Sequence, residues 1–179
     1  PVGYINLGNV FASAGDTERA ERFFQKAISL DENAGSALYG LGNLYFTNER
    51  FEEAAIVYEK AVRAGLNEAD AFFMLGKSLK QTGKSKLALP YYQRAAELAP
   101  EDLEIRLAYG ILLAELELFE EAGKELSFVL EKDEENADAH YNLGVLYAVS
   151  TDRKDDALFH LEKAFTFEPE HTQARYIYD

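Results

Sequence analysis

The chain is 179 residues long, carries a formal net charge of −14 and contains no cysteine. It therefore forms no disulfide and offers no thiolate to a metal, and its 47% hydrophobic content is that of a folded chain rather than a disordered one. No run approaches the roughly 18 apolar residues of a membrane span and no basic-then-apolar leader is present, so a soluble, cytoplasmic protein is expected.

A first helix is predicted from about Val2 to Ala14, stopped by Gly15, with Asp16 placed to start the next. The second helix shows Ala20, Phe23, Phe24, Ala27 and Ile28, a spacing of i, i+3, i+4, i+7 and i+8 that makes one apolar stripe. The set Tyr4, Leu7, Gly8, Phe11, Ala20, Phe24 and Ala27 then returns at a period of 34 residues. Its second copy is Leu38, Leu41, Gly42, Tyr45, Ala54, Tyr58 and Ala61; its third is Phe72, Leu75, Gly76, Leu79, Ala88, Tyr92 and Ala95. The fourth is Arg106, Tyr109, Gly110, Leu113, Ala122, Leu126 and Val129. The fifth is His140, Leu143, Gly144 and Tyr147, followed one residue late by Ala157, Leu161 and Ala164. A fixed period of this length marks a stacked array of two-helix units.

A mid-helix glycine costs about 1 kcal/mol relative to alanine, so glycine at the eighth position of every copy points to close helix approach. The small residues at positions 8, 20 and 27 let paired helices nest, and the large ones at 4, 7, 11 and 24 are expected to fill the space around them. Asn33, Asn67, Asp102 and Asn136 are placed to cap the helices that open successive units. Pro90 lies a few residues inside a second helix, where it removes one intrahelical bond and predicts a local distortion. The extra residue of the fifth copy, within Ser150 to Asp156, predicts a longer turn there.

The aromatic-x2-Leu-Gly-x2-Tyr element followed by A-x3-F-x2-A resembles the tetratricopeptide repeat. That resemblance implies an all-α, right-handed superhelical solenoid. Its units are expected at 1–34, 35–68, 69–102, 103–136 and 137–171, the last with a one-residue insertion, and 172–179 would begin a truncated sixth unit or capping helix. Neither end carries the polar face of a terminal cap, so the chain is expected to be a fragment with a further repeat upstream.

In this family, positions 2, 5, 9, 12 and 13 of each unit line a concave face that grips a peptide. Position 5 is Ile5, Tyr39, Phe73, Leu107 and Tyr141; position 9 is Asn9, Asn43, Lys77, Ile111 and Val145. Position 12 adds Phe46 and Lys80 among alanines. These side chains are expected to point away from the partner helix. Asparagine offers donor and acceptor to a peptide backbone, the aromatics offer apolar anchors, and Lys77 with Lys80 favours an acidic or carboxylate group on the ligand. The alternative is that the apolar members simply pack against neighbouring helices. One subfamily holds a chaperone C-terminus with a Lys–Asn–Asn–Lys–Arg clamp; at those positions this chain has Ile5, Asn9, Gly40, Asp70 and Met74. Only Asn9 matches, so chaperone tails are not the expected ligand.

No catalytic pattern emerges, and neither an enzyme nor a cofactor is expected. His140 takes a core position, while His160 and His171 lack a second histidine at helical metal spacing. Glu52–Glu53 and Glu120–Glu121 read as charge complementing helix starts. The basic cluster Lys77, Lys80, Lys84 and Lys86 is too small for a nucleic-acid face, and an acidic chain disfavours an anionic membrane. The fourth unit holds ten acids against Arg106, Lys124 and Lys132, half of the net charge. The expected function is a protein- or peptide-binding scaffold, monomeric or weakly oligomeric. The alternatives are a self-assembling structural protein, or a regulatory subunit docking on a basic enzyme through its acidic surface.

Overall fold

The computed structural model describes residues 1–150 and 152–170; His171 and the expected sixth unit at 172–179 lie outside them. Among the described residues there are ten α-helices and no strand. They fall into two compact units divided after Leu98.

The first unit contains α1 (Val2–Ser13), α2 (Thr17–Leu30), α3 (Gly35–Thr47), α4 (Phe51–Arg63), α5 (Ala69–Gln81) and α6 (Ser85–Leu98). The second contains α7 (Leu103–Glu115), α8 (Phe119–Lys132), α9 (Ala137–Ser150) and α10 (Lys154–Phe167). Odd-numbered helices pair with the even-numbered helix that follows, and within each unit an even helix also packs on the next odd one. This is an all-α repeat solenoid.

The nesting glycines explain the pairing. Gly8, Gly42, Gly76, Gly110 and Gly144 are all buried. A methyl group on Gly42 would stand 2.5 Å from Cε1 of Tyr58, and one on Gly76 2.6 Å from Cδ2 of Tyr92. Gly8 and Gly40 both face the ring of Phe24, where an added methyl would stand 2.7 and 2.6 Å from its Cε1, so one ring is clasped between α1 and α3. Leu126 and Leu161 play the same part against Gly110 and Gly144. Phe24, Tyr58, Leu126 and the alanines at the neighbouring small positions are fully buried.

Several expectations need correction. Tyr4 and Leu7 do not fill a core: they are 37% and 41% exposed, where their counterparts Leu38 and Leu41 are buried. Asp102 and Asn136 do cap, accepting from the backbone N–H of Ile105 (3.1 Å) and Ala139 (3.0 Å). Asn33 and Asn67 do not; Ala34 and Glu68 stand at those N-caps, and the Asn67 carbonyl instead accepts from Arg94. α6 runs unbroken through Pro90, whose missing N–H leaves one intrahelical bond unmade as expected. The insertion does not lengthen the turn, since α9 ends three residues before α10 begins just as α3 does before α4; the additional residue is a fourteenth position in α9, against thirteen in α3, α5 and α7.

Three-residue turns between paired helices place position 15 in the left-handed region. Gly15 and Gly83 take φ of 76° there, while Glu49 and Glu117 adopt 59° and 61° at the matching sites. The glutamates carry a Cβ through a conformation that disfavours one.

Candidate functional site

On α1, α3 and α5 the expected ligand-facing positions form one stripe per helix. Asn9 is exposed; Ile5, Tyr39, Asn43, Phe46, Lys77 and Lys80 are half-buried. Phe73 is 6% exposed, which makes it a core residue rather than a free anchor.

The aromatics of the stripe do not point clear of their partner helices, as the spacing had suggested. Tyr39 lies tilted on Tyr58 of α4 with centroids 5.7 Å apart, and Phe46 meets Phe51 edge-on at 5.1 Å. Phe73 stands edge-on to Tyr92 of α6 at 5.5 Å. The cause is the nesting glycine. Because Gly42 and Gly76 admit the rings of Tyr58 and Tyr92, those rings come near enough to support the residue three positions earlier. The stripe is therefore a layer of aromatics resting on a second layer.

Asn43 is committed in part. Its Oδ1 accepts a 2.6 Å hydrogen bond from the Tyr58 hydroxyl, so one of its two lone pairs serves the fold. Burial pushes the Tyr58 phenol well above its ordinary value, with nearby Tyr39 adding to the effect. Tyr39 is raised too, first by burial and then by the Asp70 carboxylate. Neither phenol ionises in the neutral range, and both act as neutral hydrogen-bonding groups.

The ammonium of Lys77 lies 5.0 Å from the Phe73 centroid and 5.9 Å from that of Phe46, within cation–π range of both rings. Aromatic and cationic character thus meet at one place on α3 and α5. Beside it, α1 and α3 enclose a cleft of ≈ 470 Å³ lined by Asn9, Ala12, Gly40, Asn43 and Thr47, among others. In the second unit the stripe comprises Leu107 and Ile111 on α7 with Tyr141 and Val145 on α9, all half-buried.

Sequence reasoning missed a further regularity. Positions 4 and 23 face each other in the first, fourth and fifth hairpins, and the occupants change together. The slot holds Tyr4 stacked on Phe23 at 6.3 Å in the first hairpin, and buried Leu38 and Val57 in the second. In the fourth it holds an ion pair, Arg106 Nη1 to Glu125 Oε2 at 2.7 Å, shielded to 21% and 18% exposure. In the fifth it holds His140 and His160, whose Nδ1 atoms are 2.8 Å apart. Reading the two positions jointly along the period would have revealed the pairing. Among the described residues no cluster of three or more His, Cys, Asp or Glu could hold a metal ion, and no helix is long and apolar enough to cross a membrane.

Paired helices with glycine-to-ring nesting at a period of 34 define a class, and the tetratricopeptide repeat profile matches residues 5–69, 73–127 and 137–171. The chain belongs to the tetratricopeptide repeat family. Its structure is similar to that of YrrB, described as a tetratricopeptide protein with an unusual peptide-binding site. The TM-score is 0.92 with 43% identity, covering 97% of this chain and 89% of YrrB. MamA shares the fold at a TM-score of 0.86 and 20% identity, over 96% of this chain and 93% of that one. Among curated proteins, the chain is 34% identical over 142 residues to a UDP-N-acetylglucosamine–peptide N-acetylglucosaminyltransferase of Giardia intestinalis, covering 78% of this chain and 10% of the enzyme. It is 29% identical over 168 residues to the human protein O-mannosyl-transferase TMTC1, covering 94% of this chain and 15% of that protein. The chain thus spans only a small part of either transferase.

Proposed function

We propose that the protein is a non-catalytic, cytoplasmic scaffold that binds a peptide segment of a partner on the inner faces of its odd-numbered helices. Family membership supports protein–protein interaction, and the likeness to YrrB supports a peptide as the ligand. The observation that carries the site is the junction of α3 and α5, where the Lys77 ammonium lies within cation–π range of half-buried Phe46 and of Phe73, while α1 and α3 enclose a cleft lined by Asn9 and Asn43. An apolar anchor with a neighbouring carboxylate fits that combination. Ile5 and Lys80 extend the site on α1 and α5, while Leu107, Ile111, Tyr141 and Val145 form the corresponding stripe of the second unit. Phe73 supports the site from below.

The test is peptide display against the whole chain, followed by titration of the selected peptides with wild-type protein and with Phe46→Ala and Lys77→Glu. Affinity reduced at least tenfold, with circular dichroism unchanged, supports the site. Undiminished binding to both variants moves it elsewhere.

A further inference from the structure

The fifth hairpin differs from the others in what fills its position 4–23 slot. His140 of α9 is 6% exposed, and its two ring nitrogens have partners: Nε2 lies 3.0 Å from the Glu134 carbonyl oxygen and Nδ1 lies 2.8 Å from Nδ1 of His160 on α10. A carbonyl only accepts, so Nε2 of His140 carries the hydrogen. Nδ1 of neutral His140 is then a lone pair, and the facing Nδ1 of His160 must be the donor. This is a fixed tautomer pair. One added proton is compatible with it, since an imidazolium still presents a single hydrogen between the two Nδ1 atoms. Two added protons set N–H against N–H at 2.8 Å, with two positive charges in contact.

We propose that this pair is an acid-sensitive latch on the α9–α10 hairpin, closed while a single hydrogen bridges the two Nδ1 atoms and forced open when both rings are protonated. The surroundings oppose the second proton. His140 is flanked by Phe159, edge-on with centroids 6.4 Å apart, and by Phe167, tilted at 5.7 Å, and His160 lies 5.6 Å from Tyr147. The charged groups acting on the pair are Asp156 and Lys163 of α10 and Arg153 of the preceding turn. Asp156 favours protonation, and both cations disfavour it. From α8, packed against α9, no charged side chain among the described residues acts on either ring. Burial, the largest influence, pushes both imidazoles down, His160 to about 4.

The sign of the pH dependence follows. Depressed basic groups make the folded hairpin take up fewer protons than the unfolded one, so stability is intact above an unfolded value near 6.5 and falls as pH drops below it. Between pH 7 and 5 the opening equilibrium rises about 25-fold if the closed pair forgoes one of two protons, and about 600-fold if it forgoes both. Because Tyr141 and Val145 stand on α9, opening would dismantle that part of the proposed binding stripe, although the latch itself does not depend on that reading.

The experiment is amide hydrogen exchange of the full chain at pH 7 and 5, expressed as protection factors, with α3–α4 as internal reference. The comparison variant is His140→Tyr with His160→Phe, which installs the first hairpin's own Tyr4–Phe23 slot. The expected result is a loss of α9–α10 protection of at least about 25-fold relative to α3–α4 in the wild type, absent from the variant. A wild type in which α9–α10 and α3–α4 lose protection in parallel overturns the latch. Imidazole nitrogen shifts of the wild type at pH 7 give a second test that needs no variant. His140 carrying its hydrogen on Nε2 and His160 on Nδ1 is the required pattern, and hydrogen on Nε2 of both rings refutes it.

Discussion

Replacing Gly42 with alanine adds one methyl group to a helix interior, a change that elsewhere stabilises helices by up to about 1 kcal/mol. Here the methyl would meet three ring carbons of Tyr58 at 2.5, 2.7 and 2.9 Å. Ordinary carbon–carbon contact is about 3.5–4.0 Å, so the nearest overlap is at least ~1 Å. The ring cannot withdraw easily, because Tyr58 is fully buried and its hydroxyl is tied to Asn43 on the same helix as the new methyl. That places the substitution at the upper end of overpacking, about 3 kcal/mol, and the net effect after the propensity gain is a loss of about 2 kcal/mol. For a chain of this length the melting temperature should fall by about 4–8 °C. Gly123 is the control: it lies inside α8 with nothing within 4 Å of an added Cβ, so Gly123→Ala should stabilise by about 0.5–1 kcal/mol. Thermal and urea melts of the two variants should move in opposite directions. Gly42→Ala melting at or above the wild type would refute the nesting argument for every repeat at once.

Three further outcomes are expected. Asn136→Ala removes a working N-cap and should cost about 0.5–2 kcal/mol, whereas Asn33→Ala, at a junction capped by neither side chain, should stay within about 0.5 kcal/mol in the same urea titration. Glu49→Gly should raise the urea midpoint, because relief of a left-handed Cβ worth about 1–2 kcal/mol exceeds the added chain entropy of about 0.5–1 kcal/mol; Gly15→Ala should lower it. Arg106→Ala should destabilise by about 1.5–3 kcal/mol, since it strands the shielded Glu125 carboxylate, while Arg22→Ala, whose partner Glu18 is 85% exposed, should be nearly silent by calorimetry.

What the sequence made legible was whatever the period enforces. The glycine at position 8 and the large residue at position 24 are locked together by geometry, so helix pairing follows from spacing alone. The lost details depend on atoms rather than residue classes. That Asn43 accepts from Tyr58 cannot be read from an asparagine and a tyrosine 15 residues apart, because it depends on how deeply the ring slides beneath position 5. Phe73 looked like an anchor because position 5 was taken to face outward, yet the ring admitted by Gly76 turns that position into a second layer of core. The inserted residue seemed to belong to a turn because turns tolerate length, and α9 absorbed it instead. The binding stripe remained the least legible part, since family position marks which side chains face inward and leaves their prior engagements open.

Repetition carries a hazard of its own. Five similar hairpins give each odd helix several near-equivalent even helices to choose from while the chain is still collapsing. The changing occupants of the position 4–23 slot act against that confusion. If α7 were to close on α10, Arg106 would face His160 and leave Glu125 without its cation; if α9 were to close on α8, His140 would meet Glu125 and forfeit its bridge to His160. The ion pair of the fourth hairpin and the imidazoles of the fifth thus serve as keys, each cut for one lock. In this view the uniform backbone period supplies speed of assembly, and the non-uniform slot supplies its proofreading.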